Sequence, residues 1–450
     1  MDFRSKRVLI IGGKRSGVAA AALLRKQGVA DLQVMDSQPL KAEERAPFDA
    51  LGVPVVLQNT RDPNDLEADI IVLSPGVPND LLLLTRARER GAHVLGEVEL
   101  ASYFLAGPVI GITGSNGKTT TTALTAHLLK ESGICCQVGG NIGTALTSLV
   151  ESSRSQQWNV LELSSFQLET IEHFRADLSA CLNITPDHLD RHGTLENYVA
   201  AKRRLFETQT ASGCAVLNYD DEACRAFAKV TKARVYWFSV AGSVPEGISL
   251  KGDELVLRDE PFMRRSAIRL RGVHNLENVM AAALLADLAG APLTALEQAV
   301  ESFPGVEHRI EFVRTLDGVD YFNDSKATNV DATLKAVAAF ENPLWLILGG
   351  KDKGSDYGPL RHALAHHARA VLLIGAEPYE SAAAPLIRKA LDGVLPLVDC
   401  GEMAAAVRYA REHASPGDVV LLAPACASFD QFRNYEERGR AFKQIVSELL

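Results

Sequence analysis

The chain has 450 residues, with Lys+Arg 47 against Asp+Glu 56, a formal net charge of −9 at pH 7 and 47% hydrophobic residues. At roughly 150 residues per domain this leaves room for about three domains with separate cores, and it excludes a metal-stapled miniature, a fibre and a disordered chain. No basic run could follow a phosphate backbone, so nucleic acid is not an expected partner, although local basic clefts stay open. The seven cysteines are odd in number and scattered, without C-x-x-C spacing, and read as free thiols of a reducing compartment. The opening MDFRSKRVLIIGG has an apolar run only as long as a strand. Nowhere do about 18 apolar residues run uninterrupted, so a soluble cytoplasmic protein without membrane insertion is expected.

The first expected strand, Val8–Ile11, leads into Gly12-Gly13-Lys14-Arg15-Ser16-Gly17. This is close to a dinucleotide fingerprint, and Asp36 ends the second strand (Leu32–Met35) about 20 residues on. Lys14 replaces the glycine that lets a pyrophosphate approach the backbone. A nicotinamide cofactor is therefore disfavoured, while an anionic nucleotide over the helix start and a packed turn without ligand both remain open. After Ile70–Leu73 a boundary is expected near Ala106-Gly107-Pro108.

The strand Val109–Ile112 opens the strongest local signal, Gly111-Ile-Thr-Gly114-Ser115-Asn116-Gly117-Lys118-Thr119-Thr120, followed by a helical pattern over Thr121–Glu131. Strand, glycine loop and helix are the parts of a phosphate cradle. Backbone N–H groups converge on anionic oxygens, Lys118 can bridge phosphates, and the Thr119 hydroxyl can bind Mg²⁺. The first glycine of the usual spacing would fall at Ile112 and is missing. Glu162 ends the strand Val160–Leu163, where an open α/β sheet faces its ligand, and is a candidate for holding the metal. The strand Ala180–Ile184 runs into Asn183-Ile-Thr-Pro-Asp187-His188-Leu-Asp190-Arg191-His192, a cluster of metal ligands or simply a capping loop. Lys202 follows in Tyr198-Val-Ala-Ala-Lys202, where local sequence alone reads as a surface lysine.

Between about Arg234 and Leu270 shorter alternating strands and the turn Lys251-Gly252-Asp253 predict a small antiparallel patch. His274, Asn275 and Asn278 introduce a helical run over Val279–Leu288, and its asparagines at i and i+3 share one face. Past the helical pattern Leu293–Ser302 a second boundary is expected near Phe303-Pro304-Gly305, followed by His308-Arg309. Strands are expected before Asn323, at Leu344–Leu348, Val371–Ile374 and Val419–Leu422. The polar clusters Asn323 to Asn329, Gly349 to Gly354 and Ala425 to Phe432 each follow a strand end. Alternation of strands and helices throughout predicts an α/β chain of mainly parallel sheets, divided at 1–106, 107–306 and 307–450.

In their order along the chain, Gly114-Ser-Asn-Gly-Lys-Thr119, Glu162 to Glu169, Asn183 to Arg191, Tyr198 to Lys202, His274 to Asn278, His308-Arg309 and Asn323 to Asn329 resemble the Mur ligase family. These are the ATP-dependent enzymes that build the peptide stem of bacterial peptidoglycan. The Ser-Ser-Phe-Gln-Leu-Glu and Asp-Ser-Lys-Ala-Thr-Asn stretches, with Ser-Phe-Asp-Gln-Phe near the C-terminus, are similar to the family member that adds D-glutamate to UDP-N-acetylmuramoyl-L-alanine. The resemblance implies a Rossmann-like N-terminal domain for the UDP substrate, a P-loop ATPase central domain and a Rossmann-like C-terminal domain for the amino acid. It implies ATP and Mg²⁺, an acyl-phosphate intermediate, and a monomer.

Residue by residue, the same resemblance implies an ATP loop at Gly114, Ser115, Asn116, Gly117, Lys118, Thr119 and Thr120, with further ATP contacts at Asn275, Asn278, Arg309, Asp324 and Lys326. Metal and catalytic roles fall on Lys118, Thr119, Glu162, His188 and Lys202, the last as a carbamate. The UDP-sugar side is implied at Ser16, Gly17, Asp36, Ser37, Ser74, Gly76 and Asn141, and D-glutamate at Thr328, Lys353, Ser428 and Tyr435. Other ligases of the superfamily, including those adding L-alanine, diaminopimelate or folate polyglutamate, are the alternatives, and the Asp-Asn-Pro-Arg motif expected of a diaminopimelate-adding enzyme is absent from the sequence. Outside that class stand a nucleotide-binding switch and an NAD-dependent oxidoreductase.

Overall fold

Short apolar runs alternating with helices assemble into three sheets in the computed structural model, which describes residues 1–58, 67–270, 272–365, 367–375 and 382–450. The chain separates into two compact units, one of residues 1–269 and 273–303 and the other of residues 270–272 and 304–450.

The first unit carries two sheets. β1 (Val8–Ile11), β2 (Leu32–Asp36), β3 (Val55–Leu57), β4 (Ile70–Leu73) and β5 (His93–Gly96) pair in the order β3-β2-β1-β4-β5, all parallel. Every residue of β1 and β4 is buried, as expected of strands covered on both faces. Val8 and Ile10 pack with Ala20, Leu24 and Phe48, whereas Leu9 and Ile11 pack on the opposite face with Leu83 and Leu84.

The second sheet comprises β6 (Val109–Thr113), β7 (Cys136–Gly140), β8 (Trp158–Glu162), β9 (Leu178–Cys181), β10 (Cys214–Asn218), β11 (Arg234–Ser239), β12 (Gly247–Lys251), β13 (Glu254–Leu257) and β14 (Glu260–Arg264). Their order is β14-β13-β12-β11-β10-β9-β6-β8-β7. The antiparallel patch is confined to β12, β13 and β14, and β11 pairs in parallel with both neighbours. β8 and β9 each lie about two residues earlier than the apolar runs suggest. Leu163 and Leu182 still donate to Ile112 and Thr113, but the chain there is already turning into loops. The helix expected from Val279 begins at Val273, which places His274, Asn275 and Asn278 in its first turns.

Two buried glutamates pin the sheets of this unit together. Glu99, in the helix Glu97–Ser102 that follows β5, accepts from the backbone N–H groups of Glu172 and His173 at 2.8 Å and Phe174 at 3.0 Å. Glu97 accepts from the N–H and hydroxyl of Thr147, both at 2.7 Å.

In the second unit β15 (Glu311–Leu316), β16 (Val319–Asn323), β17 (Leu344–Gly349), β18 (Ala368–Ile374), β19 (Leu397–Gly401) and β20 (Val419–Leu422) form a sheet ordered β15-β16-β20-β17-β18-β19. Only the β15 pairing is antiparallel. Among the described residues no helix is long and apolar enough to cross a membrane.

Removing the Glu99 carboxylate strands the buried N–H donor of Phe174 and the part-buried donors of Glu172 and His173, a buried donor costing about 1–3 kcal/mol when left without a partner. Glu99→Ala is therefore expected to lower unfolding free energy by about 3 kcal/mol or more, with Glu99→Gln intermediate. Denaturant titration of the three proteins checks this, and equal midpoints for Ala and wild type would refute the pinning role.

Candidate active site

The loop between β6 and the helix Lys118–Glu131 is built on two glycines whose backbone conformation excludes side chains. Gly114 has φ +146° and Gly117 has φ +84°, and a Cβ on Gly117 would stand 2.1 Å from Asn278 Oδ1. The loop is stitched to the chain after β9. Ser115 N–H donates to Asn183 O at 2.9 Å, Asn116 N–H to Asn183 Oδ1 at 2.8 Å, and Thr185 N–H to Ser115 Oγ at 2.9 Å. Lys118 Nζ folds back onto the carbonyls of Gly114 at 2.8 Å and Ser115 at 2.9 Å. Thr119 donates its hydroxyl to Glu162 Oε2 at 2.8 Å, and Asn141 Nδ2 donates to Glu162 Oε1 at 2.7 Å, so three expected site residues meet at the end of β8.

Thr120 is buried beneath the loop. Asn275 and Asn278 are buried too. Asn278 donates to Asn275 Oδ1 at 3.0 Å and accepts from Thr121 Oγ1 at 3.2 Å, so it braces the loop helix from behind.

Lys202 corrects the local reading as a surface lysine. It lies in the helix Leu195–Glu207 with 1% of its surface exposed, its Nζ 2.9 Å from Gly114 O and 4.6 Å from the centre of the Tyr198 ring. Burial, with the Lys118 charge as a smaller contribution, pulls its pKa down to about 7. A substantial fraction of this amine is therefore uncharged at neutral pH.

His188 stands apart. It is half-exposed, holds φ +51° at the start of the helix Leu189–His192, and lies 3.5 Å from Asp187 Oδ2. Among the described residues it makes no hydrogen bond to Thr119, Glu162 or Lys202. Three residues of the motifs, given no individual role from sequence, support this region. Tyr198 Oη lies 2.9 Å from Ser115 Oγ, and burial raises its pKa to about 12. His192 sits between Ser165 Oγ at 3.0 Å and Glu169 at 3.4 Å, with burial lowering its pKa. Arg191 donates to Val77 O at 2.9 Å and Glu169 Oε2 at 3.0 Å, tying the loop after β4 to the second sheet.

At the ends of β1 and β4, where the first sheet reverses its winding, lies a cleft of about 440 Å³. Ser16, Asp36, Ser74, Gly76 and Asn141 line it, as do Lys14, Arg15 and Gln167. Asp36 accepts from Gly13 N–H at 2.7 Å and Gln38 N–H at 3.1 Å and so shapes the loop. Gly17 does not line the cleft. A Cβ there would come within 2.0 Å of Gly12 O, so its role is close packing of helix on loop. Ser37 is exposed beside the cleft-lining Asp36.

In the second unit Asp324 is buried, which raises its carboxyl pKa to about 6 against the opposing charge of Arg309. Lys326 Nζ lies 5.9 Å from the Tyr435 ring. Thr328 follows β16, Lys353 follows β17, Ser428 follows β20, and Tyr435 opens the last helix, Tyr435–Ser447. Backbone bonds between Lys351 and Ala427 (2.9 and 3.2 Å) and the Ser325 hydroxyl donating to Tyr435 O (2.8 Å) join these strand-end loops. Asp352 gathers Gly354 N–H at 2.9 Å and Tyr357 Oη at 2.7 Å, a turn that leaves Lys353 exposed.

A glycine loop between strand and helix, with a threonine hydroxyl on a strand-end glutamate, defines a phosphate-loop α/β protein. Residues 112–286 match the Mur ligase middle domain and residues 308–426 match the Mur ligase, glutamate ligase domain. A protein of Solibacter usitatus named UDP-N-acetylmuramoylalanine–D-glutamate ligase is 55% identical over 100% of this chain and 99% of its own. One of the same name from Acidobacterium capsulatum is 47% identical over 99% of this chain and 97% of its own. This chain belongs to the Mur ligase family. The solved structure of UDP-N-acetylmuramate-alanine ligase from Thermotoga maritima shares the fold, with a TM-score of 0.60 at 19% identity over 98% of this chain and 99% of that one.

The lowered pKa of Lys202 has a stability signature. In the unfolded chain the amine titrates near 10.5, so between about 7 and 10.5 the unfolded state binds more protons and native stability rises with pH. Below about 7 the amine is charged in both states and the full burial cost persists. In CO2-free buffer, wild type is expected to gain stability relative to Lys202→Met as pH rises through this window. Denaturant titration at pH 6 and pH 9.5 tests it, and a pH-independent difference would argue against a buried free amine.

Proposed function

We propose that this chain is an ATP-dependent amide ligase that joins D-glutamate to UDP-N-acetylmuramoyl-L-alanine in the assembly of peptidoglycan precursors. The observation that carries this reading is the contact between Thr119 and Glu162 on a glycine loop, set in a chain 55% identical to a ligase of that name. The proposed division of labour gives residues 1–106 the UDP substrate, 107–306 ATP and 307–450 the amino acid.

Forming an amide from a carboxylate requires a leaving group better than oxide. The L-alanyl carboxylate attacks the γ-phosphorus of ATP and becomes an acyl phosphate as ADP departs, the neutral amine of D-glutamate adds to its carbonyl carbon and loses a proton, and the tetrahedral adduct expels phosphate. Charge builds on phosphoryl oxygens at both steps, so fixed cations and N–H donors are the main catalytic resource. Lys118 exchanges its loop carbonyls for phosphate oxygens, with the N–H groups of the loop 114–120 around them. Mg²⁺ is proposed to be held by Thr119 and Glu162, an oxygen pair suited to a hard cation, and supplies charge neutralisation on the phosphates. Among the described residues no group of three or more His, Cys, Asp or Glu forms a metal cage, which suits an ion completed by phosphate and water.

Asn275, Asn278, Arg309, Asp324 and Lys326 are the proposed ATP contacts, with Asn278 acting through the loop it braces. Ser16, Asp36, Ser74, Gly76 and Asn141 are proposed for the UDP substrate, with Gly17 and Ser37 shaping that loop. Thr328, Lys353, Ser428 and Tyr435 are proposed for D-glutamate, with Lys353 a natural partner for its side-chain carboxylate.

The uncharged fraction of Lys202 is the form able to add to CO2. Loss of a proton would leave a carbamate, which with His188 is proposed to hold a second cation. Lys202→Ala should then lose most activity and recover part of it with acetate or formate, whereas Lys202→Arg should not recover. Inactivity without rescue would speak against the carbamate.

Phosphate release from ATP with UDP-N-acetylmuramoyl-L-alanine and a panel of amino acids tests the whole reading. Release is expected with D-glutamate, and preference for L-alanine or diaminopimelate would overturn it. Lys118→Ala should cut release by on the order of 10² or more while calorimetric affinity for the UDP substrate holds, because Lys118 is not among the residues that line the cleft. Parallel loss of both would contradict that separation.

A further inference from the structure

The last helix of the chain buries an arginine. Arg438 has 1% of its surface exposed, and its guanidinium uses every N–H it has. Nε donates to Ser325 Oγ at 3.0 Å, Nη2 to Ser325 O at 2.9 Å and Cys426 O at 3.2 Å, and Nη1 to Cys426 O at 3.2 Å and Ala427 O at 3.3 Å. The four acceptors, Cys426 O taking two of the five bonds, are all neutral. No carboxylate forms an ion pair with it among the described residues. The Asp430 carboxylate acts on it through space without a hydrogen bond, and a buried cation without a direct ion pair is costly and is rarely kept for stability alone. Burial pulls its pKa down only to about 10, so it stays charged at neutral pH.

The position of this cation gives it a use. Ser325 lies three residues before Thr328, Ala427 immediately precedes Ser428, and Tyr435 lies three residues before Arg438. Gly350, three residues before Lys353, closes the fourth side, where an added Cβ would come 2.3 Å from Ala427 O and 3.3 Å from Nη1. Each of the four residues expected to hold the amino acid therefore lies within three positions of a group packed against one guanidinium. The loops that carry them come from β16, β17, β20 and the last helix, and Arg438 or its immediate contacts join all of them.

We propose that Arg438 is a positioning residue of the acceptor subsite, fixing the strand-end loops and placing beneath them a positive charge, hydrogen-bonded only to neutral acceptors, that favours an acidic amino acid. It touches neither substrate nor reacting atoms. Free D-glutamate carries two carboxylates and one ammonium, so it gains from a positive potential in its pocket where a neutral amino acid does not. The inference rests on the D-glutamate ligase reading.

The test is steady-state kinetics of Arg438→Gln, Arg438→Lys and Ser325→Ala with each of the three substrates varied in turn, alongside thermal unfolding. Losing one charge-assisted anchor of about 1.5–3 kcal/mol corresponds to about ten-fold or more in KM for D-glutamate in the Gln variant. KM for ATP and for the UDP substrate should stay within about two-fold. Arg438→Lys keeps the charge and should recover part of the D-glutamate affinity, and Ser325→Ala, which removes one acceptor without touching the charge, should raise the same KM by about three-fold. Should the Gln variant fail to fold, the Lys and Ser325 variants decide the matter. A rise of all three KM values together, or an unchanged KM for D-glutamate, overturns the proposal. A wild-type protein that releases no phosphate with D-glutamate overturns the functional reading itself, which separates the two failures.

Discussion

The carbonyl oxygen of Gly114 accepts from two ammonium groups, Lys118 at 2.8 Å and Lys202 at 2.9 Å, and much of the first unit's site depends on that convergence. Only a glycine can hold φ +146° at the end of β6 and turn this carbonyl toward both lysines. Burial, with the Lys118 charge as a smaller contribution, lowers the pKa of Lys202 to about 7 and leaves that amine near its titration point at neutral pH. Lys118, at the helix start, can leave for a phosphate. Lys202, locked in its helix under the Tyr198 ring, cannot.

Parallel sheets explain why the remaining groups collect where they do. At a strand's C-terminal end the chain must leave the ladder, and wherever strand order reverses, adjacent loops part and open a crevice. Gly12 and Ser74 follow β1 and β4, Gly114, Glu162 and Asn183 lie at the ends of β6, β8 and β9, and Asp324, Gly350 and Ala425 follow β16, β17 and β20. A hydrogen bond across each crevice holds it in shape, as Ser74 Oγ to Gly12 O does at 3.1 Å.

The buried strands were legible because β1, β4, β17 and β20 are continuous apolar runs, which solvent-covered strands seldom are. Edge strands were not. Cys136–Gly140 offers one β-branched residue and two glycines, and β3 is only partly buried, so neither declares itself by pattern. The phosphate loop was legible down to its residues, since phosphate recognition dictates small residues and a lysine at fixed spacing. Gly17 was expected on the UDP-sugar side and is instead a packing position, because a close helix approach and a close ligand approach ask for the same missing side chain. Asp36 and Asn278 were readable as polar and well placed; that their hydrogen bonds go to Gly13, Gln38, Asn275 and Thr121 is tertiary information.

Lys202 and Arg438 show what pattern reading passes over. In the helix Leu195–Glu207 the buried residues Tyr198, Ala201, Lys202, Leu205 and Phe206 form one stripe, and Lys202 stands in it four residues after Tyr198 and four before Phe206. In the last helix Arg438, Phe442 and Val446 follow the same spacing. Each cation occupies a place where a leucine would pack at less cost, and each answers with hydrogen bonds to neutral acceptors rather than an ion pair. The carboxylates whose charges act on them, Asp187 on Lys202 and Asp430 on Arg438, make no hydrogen bond to either among the described residues. A basic residue with large apolar residues four positions away, as Tyr198 and Phe206 flank Lys202 and Phe442 follows Arg438, is thus a sequence signal of burial that a surface lysine does not carry.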